Sequence, residues 1–227
     1  KDRYGSQIHT HYPESILEEI TIMEQEQQRL ELGEYREDVP PFMQQIVAEI
    51  TQGARRSPDI NQRSGVSVRA SIANYEALLA NALRRAIRTG EQDIVPRISD
   101  LPFTMPSLQG KVEFEAMEEG REEQIMEKLF EDAVKTVFSE YAEVADLENV
   151  ALQFADGLNV TTGESMPSVE YDAIVRKVDG LDAVVSQIAK SDSPARRASA
   201  VEFVLEGLHL NQLLNKDRVG GRTTYTG

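Results

Sequence analysis

The sequence predicts an all-α fold, in which a helical bundle is followed by a second helical region and preceded by one short strand. Apolar residues recur three and four positions apart in most segments after Pro13. Proline, serine, threonine or aspartate stands where several of these segments begin, and glycine stands where some of them end. The alternation of period two that is typical of a strand is clear only in residues 6–12.

The N-terminal segment places Ile8, Thr10 and Tyr12 on one side of the chain and polar residues on the other, which predicts a strand. Thr10 and Pro13 then favour the start of a helix that closes near Gly33. Its predicted apolar face consists of Ile16, Leu17, Ile20, Met23 and Leu30.

A second helix is predicted from Asp38 and the two prolines that follow it to a basic end before Pro58. Its predicted inward face consists of Phe42, Met43, Ile46, Val47 and Ile50. A polar loop at 59–64 separates it from the next element.

Residues 64–90 are the most informative stretch, and they predict one helix with a capping residue at each end. Ser67 can serve as the N-cap, and Gly90 suits the left-handed residue that ends a helix. Arginines in the last turn meet the negative end of the helix dipole. The predicted core face consists of Val68, Ile72, Tyr75, Leu79, Ala82, Leu83 and Ala86, and the arginines are Arg84, Arg85 and Arg88.

Arg69 lies in the first turn of this helix, where positive charge is unfavourable unless a negative group is near. Free amides at a helix N-terminus bind phosphate, and an arginine adds a planar, permanently charged donor. The residue therefore indicates an anion site. The alternative is an exposed arginine that points into water.

A cluster of helix breakers at 102–110 predicts a boundary between two regions. The predicted units are 1–12, a last strand of a core; 13–106, a helical bundle; and 107–227, a C-terminal helical region. An acid-rich stretch leads into a long helix, 157–163 is expected to be a turn-rich loop, and the tail from Asp217 is expected to be mobile. The long helix has the apolar positions Met126, Phe130, Ala133, Val134, Val137, Phe138 and Tyr141.

Composition limits the classes of function. The formal net charge of −15 and the pI near 4.7 argue against nucleic-acid partners and against attraction to a membrane. No apolar run is long enough to span a bilayer. The chain has no cysteine, which excludes disulfides and thiolate chemistry and favours the cytoplasm. The first residue is Lys1, and we expect the chain to begin inside a longer protein.

No complete catalytic motif is present in the sequence. The phosphate loop, the G-x-G-x-x-G turn, the G-x-S-x-G elbow and H-E-x-x-H are all missing. His9 and His11 could share a strand face, but a zinc site needs a third ligand, so two exposed histidines are the expectation. Arg3 stands beside Asp2, and on its own this pattern indicates an ion pair at the surface.

Two short sequence motifs resemble motifs of one protein family, and they occur in the same order along the chain. Lys1-Asp2-Arg3-Tyr4-Gly5 before a strand is similar to the D-R-[FY]-G box of AAA+ ATPases of the magnesium chelatase ATPase subunit and MoxR group. Gly65-Val66-Ser67-Val68-Arg69 is similar to the G-[VA]-S-x-R box that opens a helix of the AAA+ lid in that group. The resemblance covers residues 1 to about 100 with specific motifs, and the tail only in general character.

The resemblance implies roles for particular residues. Arg3 would be an arginine finger that completes the ATP site of the neighbouring subunit, and Arg69, with Ser67, would touch the γ-phosphate bound in its own subunit. ATP and Mg²⁺ would be the cofactors of a full-length protein that forms a homo-oligomeric ring. A metal-binding protein is a candidate partner, because family members couple ATP to remodelling or metal insertion. This chain has neither the phosphate loop nor Walker B, so we expect it to be inactive alone.

Two other functions stay open at this point. One is a stand-alone helical interaction module without nucleotide chemistry, in which Arg3 and Arg69 are ordinary surface residues. The other is a metal-dependent enzyme that uses His9 and His11.

Overall fold

The computed structural model describes residues 5, 8–28, 33–115 and 120–227, and this part is mostly helical. The helices before the acid-rich stretch are α1 (Ile16–Glu26), α2 (Pro41–Arg56), α3 (Arg69–Thr89) and α4 (Met105–Gln109). Those after it are α5 (Arg121–Tyr141), α6 (Glu148–Ala155), α7 (Tyr171–Lys177), α8 (Leu181–Ala189) and α9 (Pro194–Leu210). The 3₁₀ helix Ile98–Thr104 runs directly into α4. Predominantly helical structure is therefore confirmed.

Within the described residues, five short strands form two small sheets. The strands β1 (Arg36–Glu37) and β2 (Asp93–Ile94) pair in parallel. The other three are β3 (Val160–Gly163), β4 (Asn215–Val219) and β5 (Arg222–Thr226). They make an antiparallel sheet in the order β3-β5-β4, in which Tyr225 of β5 lies opposite Val160 on one side and Lys216 on the other.

The helices α2 and α3 follow their predicted periodicity, whereas in α1 Leu17, predicted to face the core, is 72% exposed and Glu19 is buried. In α2 the proline at its first position is followed by the expected buried face, which includes Phe42 and Ile50. In α3 the chain ends the helix at Gly90, whose φ of +74° is the left-handed conformation that favours glycine. In α1 the N-cap is Ser15, whose hydroxyl accepts from the Glu18 amide, rather than Thr10 or Pro13.

A continuous apolar core extends from the first hundred residues into the rest of the chain. Phe203 of α9 stacks on Phe42 of α2 with ring centroids 4.4 Å apart, and Phe138 of α5 meets its ring edge-on at 5.4 Å. The helix α9 is buried on nearly all sides, as expected of a central core helix. The predicted boundary near Pro106 lies in α4, and packing between α2, α5 and α9 joins the two sides of it.

Three expectations about strands and loops are wrong. Residues 8–12 form neither a strand nor a helix, because no described strand lies beside them to complete the backbone hydrogen bonds; Ser6 and Gln7 lie outside the described residues. The tail from Asp217 is a β-hairpin whose turn is made by Gly220 and Gly221, both at positive φ. The expected loop at 157–163 contains β3, which pairs with this hairpin.

None of the described helices combines the length and the apolar character that a membrane crossing requires.

Candidate functional site

The start of α3 carries Arg69, the residue for which the sequence predicts an anion site. Arg69 is the first residue of the helix, and its side chain is exposed. Its guanidinium makes no hydrogen bond or ion pair with any residue in the described part of the chain. The fully described first turn, Arg69 to Ile72, contains no acidic residue. Arg69 therefore places an uncompensated positive charge at the positive end of a helix, which favours a bound anion.

Ser67 contacts the first turn, but it is not the N-cap. Val68 takes that position with helical dihedral angles, so the helix begins one residue later than predicted. The Ser67 hydroxyl accepts from the amide of Arg69 at 3.3 Å, and the Ser67 carbonyl accepts from the amide of Ala70 at 2.9 Å. Because these two amides are already occupied, the capacity to bind an anion lies mainly in the guanidinium of Arg69 rather than in the backbone.

A buried ion pair fixes the segment that precedes Arg69. Arg55 of α2 donates two hydrogen bonds to Glu19 of α1, at 2.7 and 3.0 Å, and Glu19 is fully buried. The same guanidinium donates to the carbonyl of Val66 at 2.9 Å, and the Ser71 hydroxyl of α3 also donates to Glu19. One carboxylate thereby holds α1, α2 and the beginning of α3 together, and removal of either charge would leave its partner buried and unpaired.

The turn at Gly65 depends on close packing with Tyr12. Gly65 has a φ of +70°, and a Cβ atom built on it would overlap the Tyr12 hydroxyl. The guanidinium of Arg55 lies 4.5 Å from the centroid of the Tyr12 ring, a cation–π contact. The N-terminal segment, although it is not a strand, is therefore packed against the base of the Arg69 helix.

No protein-family model, curated protein or solved structure matches the chain. The family resemblance of the two arginine boxes consequently remains a hypothesis that rests on the residues themselves. Of those two arginines, Arg69 is placed at an exposed helix start, whereas Arg3 lies outside the described residues.

The histidines do not assemble a metal site among the described residues, where no group of three side chains of the kinds that bind metal comes together. His9 and His11 are exposed, and Nδ1 of His11 lies 2.8 Å from the carbonyl oxygen of Tyr12. In His209 of α9 the Nδ1 atom lies 2.9 Å from the carbonyl oxygen of Leu214, at the end of the helix. These contacts are local and structural.

Buried charges near the end of α3 were missed by the sequence reasoning. Arg85, predicted to interact with the helix dipole, is buried and forms an ion pair with Asp100. Burial by itself would lower the pKa of Arg85, but the charge and hydrogen bonds of Asp100 outweigh it and raise the pKa. Asn81 donates to the same carboxylate at 2.6 Å. The pair fastens α3 to the 3₁₀ helix.

Arg97 joins the first hundred residues to the C-terminal part. Its side chain is completely buried and donates to the carbonyl of Met166 at 2.8 Å and to the Ser168 hydroxyl at 2.6 Å. Its guanidinium also lies 4.7 Å from the centroid of the Tyr171 ring. No pattern in the sequence around Arg97 indicated this role.

Two buried carboxylates on α9 form a second polar centre. Glu202 accepts from the Tyr171 hydroxyl and from the amide of Ser99 at 2.8 Å. One helical turn on, Glu206 accepts from the Tyr225 hydroxyl at 2.8 Å and pairs with Lys216 at 2.7 Å. Burial, reinforced by the adjacent carboxylate, raises the pKa of each tyrosine well above its ordinary value. The two phenols therefore act as hydrogen-bond donors that hold α9 against α7 and the hairpin.

Proposed function

We propose that the chain is the lid and C-terminal region of a AAA+ ATPase of the magnesium chelatase and MoxR group, with Arg69 as its nucleotide sensor. The observation that carries the proposal is the exposed guanidinium of Arg69 at the start of α3, without a partner among the described residues. The buried Glu19–Arg55 pair supports it, because it gives that helix start a fixed position.

The chemistry at Arg69 is recognition of a phosphate. A permanently charged, planar guanidinium pairs with phosphate oxygens through two parallel hydrogen bonds. Arg69 would hold the γ-phosphate of ATP in its own subunit, and this contact would draw α3 toward the nucleotide. Arg3 of a neighbouring subunit in a homo-oligomeric ring would stabilise the charge that develops on the transferred phosphoryl group.

The cofactors of this function are ATP and Mg²⁺. The basic side chain at 69 fits a phosphate, but no described group of carboxylates and histidines is arranged to hold a cation. The proposal therefore assigns no Mg²⁺ ligand to this chain. The cation would neutralise phosphate charge when bound, with ligands from the phosphate loop and Walker B of a core domain.

The biological outcome follows from the same hypothesis. ATP binding and hydrolysis would be coupled to remodelling of a partner or to metal insertion, in the cytoplasm, with a metal-binding protein as a candidate partner. The competing function is a helical interaction module without nucleotide chemistry, which the exposed apolar residues of the C-terminal part, such as Leu152 and Val169, would serve.

The test is ATP hydrolysis by the natural protein that carries this chain, with Arg69→Ala compared with Arg176→Ala. Arg176 is an exposed arginine of α7, so its loss controls for the change of charge. We expect Arg69→Ala to lower kcat by on the order of 10²-fold or more, and Arg176→Ala to leave it within about twofold. Equal rates for the two variants would assign Arg69 to the surface and favour the interaction module.

A mixing experiment separates the two arginine roles. Arg69 acts within its own subunit and Arg3 acts on the next, so inactive Arg3→Ala and Arg69→Ala proteins should complement each other. In rings assembled from equal amounts, about one quarter of the sites combine an intact Arg69 with an intact Arg3 from the neighbour. Recovery of about a quarter of the wild-type rate is expected. Absence of any recovery in rings shown to contain both variants would contradict the trans role of Arg3.

A further inference from the structure

The outer face of α3 combines exposed apolar and basic side chains in a strongly acidic protein. Ile87 is 56% exposed and lies between the exposed arginines Arg84 and Arg88, with Leu83 half-buried beside them. The Arg84 guanidinium lies 4.7 Å from the centroid of the Phe103 ring, which is itself 36% exposed. Exposed apolar residues that form a patch with arginine are typical of protein interfaces.

A groove of opposite charge lies beside the 3₁₀ helix. It has a volume of about 420 Å³, and α5 forms one wall with Glu123, Glu127 and Glu131 at intervals of one helical turn. The opposite wall is the β4–β5 hairpin. We call this feature the acidic groove, and its apolar floor consists of Leu101, Pro102, Met105, Phe130 and Val134.

The charges of the acidic groove are only partly compensated. Lys216 already pairs with Glu206, and Arg218 already pairs with Glu164. The three exposed glutamates of the α5 wall take part in none of the ion pairs found between described residues. The groove therefore presents negative charge around an apolar floor, and it suits a partner surface with basic side chains around an apolar one.

We propose that the outer face of α3 docks into the acidic groove of a second copy of this chain. Charge and polarity are complementary: Arg84 and Arg88 meet the glutamates of the α5 wall, and Ile87 lies against the apolar floor. This inference does not depend on nucleotide or on Arg69, which lies at the far end of α3.

The position of the two surfaces favours a two-fold dimer. Both adjoin the 3₁₀ helix, because Leu101 and Pro102 belong to the groove and Phe103 to the α3 face. A two-fold axis beside this helix would bring the α3 face of each copy to the groove of the other, so that the same contact forms twice. The chain carries a net charge of −15, and two such chains repel at long range.

The test is the mass of the 227-residue chain in solution, measured by sedimentation velocity up to about 300 µM, where contacts with Kd values in the micromolar range are populated. About 0.1 M salt is suitable, because it screens the net repulsion beyond about 10 Å and leaves direct contacts largely intact. We expect a species of twice the 25.4 kDa chain mass to form with rising concentration. A single species of chain mass over the whole range would overturn the proposal.

Charge reversal then identifies the surfaces. Arg84→Glu/Arg88→Glu and, separately, Glu127→Arg/Glu131→Arg should each raise the Kd of dimerisation at least about tenfold. An equimolar mixture of the two variants should form a heterodimer again, since one of its two contacts is then complementary with the charges exchanged and the other is the wild-type contact. Failure of the mixture to associate, while each variant keeps the wild-type circular dichroism spectrum, would refute the pairing.

Two further variants separate this interface from general charge effects. Arg63→Glu/Arg176→Glu changes net charge as much as the α3 variant, at exposed positions on other elements, and should leave the Kd unchanged within about twofold. Ile87→Ser removes only the apolar contact and should weaken dimerisation without any change of charge. A dimer that tolerates Ile87→Ser and both reversals would use another surface.

Discussion

The packing around Gly207 in α9 determines whether its substitution by alanine raises or lowers the free energy of unfolding. In a helix interior, alanine is more favourable than glycine by about 0.8–1.0 kcal/mol of helix propensity, so Gly207→Ala would raise the free energy of unfolding if there were space for the methyl group. A Cβ atom at this position would overlap the ring of Phe138, which is fully buried. Because Phe138 also packs edge-on against Phe203, the ring cannot move without disturbing the aromatic core.

The expected cost of this overlap exceeds the gain in helix propensity. Insertion of a methyl group into a closely packed core costs about 1–3 kcal/mol, and contact with several ring carbons puts this site at the upper end of that range. After subtraction of the helix gain, Gly207→Ala should lower the free energy of unfolding by about 2 kcal/mol.

Gly53 in α2 is the matched control. A Cβ atom there would lie 3.6 Å from Cδ2 of Leu129, an ordinary van der Waals contact, and the residue is inside a regular helix. Gly53→Ala should therefore raise the free energy of unfolding by about 0.5–1 kcal/mol. The same chemical change is thus expected to have opposite effects at the two sites.

Urea denaturation followed by circular dichroism measures both changes, provided that the m-values of the variants stay the same. A stabilised Gly207→Ala would refute the argument, since it would show that Phe138 yields at little cost. A destabilised Gly53→Ala would show equally that the α2–α5 contact is tighter than the 3.6 Å spacing indicates.

Two further predictions concern buried polar groups. Glu19→Gln leaves the Arg55 charge buried without a counter-ion, so the free energy of unfolding measured with urea should fall by about 3 kcal/mol. Most of this loss should be recovered in Glu19→Met/Arg55→Met. A loss under about 1 kcal/mol in Glu19→Gln would contradict the role given to this pair. Burial raises the pKa of Tyr75 from 10.0 to about 12, so the folded state keeps a proton that the unfolded state releases, and this residue alone should lower stability by about 1.4 kcal/mol per pH unit from pH 10 to pH 12. The raised pKa values of Tyr171 and Tyr225 add to the fall in the same direction. Unfolding curves at about pH 9 and pH 11 test this, with Tyr75→Phe expected to reduce the pH dependence.

The helices were predictable because their signals are local. The signals are the spacing of apolar residues in α2 and α5, a proline at the first position of α2 and a glycine after α3, and each lies within the helix it marks or next to it. Helix boundaries were less accurate. Val68 took a helical conformation and moved the cap by one residue, a difference too small for sequence patterns to resolve.

The strands were not predictable in the same way, because pairing partners are far apart in sequence. Tyr225 lies opposite Val160, and neither segment alternates strongly enough to indicate a strand alone. The Gly220-Gly221 pair was an available signal, since a two-residue turn with both φ values positive favours a hairpin. The prediction of a mobile tail from Asp217 does not use this signal.

The candidate site was predictable only in its outermost residue. Arg69 could be identified from its position in the first turn and from the box that precedes it. The Glu19–Arg55 pair that fixes this helix could not, because 36 residues separate its two members and both look like ordinary surface charges in sequence. For the same reason no pattern indicated that Arg97 would be buried.

The contacts of Arg97 have a consequence for how any displacement of α3 would travel. A fully buried guanidinium that donates to both Met166 and Ser168 resists shear between the segments it joins, because movement would leave its buried N–H groups without acceptors. Because Asp100 of the 3₁₀ helix pairs with Arg85 of α3, and Arg97 stands directly before that helix, a displacement of α3 would be transmitted through these two arginines to the segment of Met166 and Ser168.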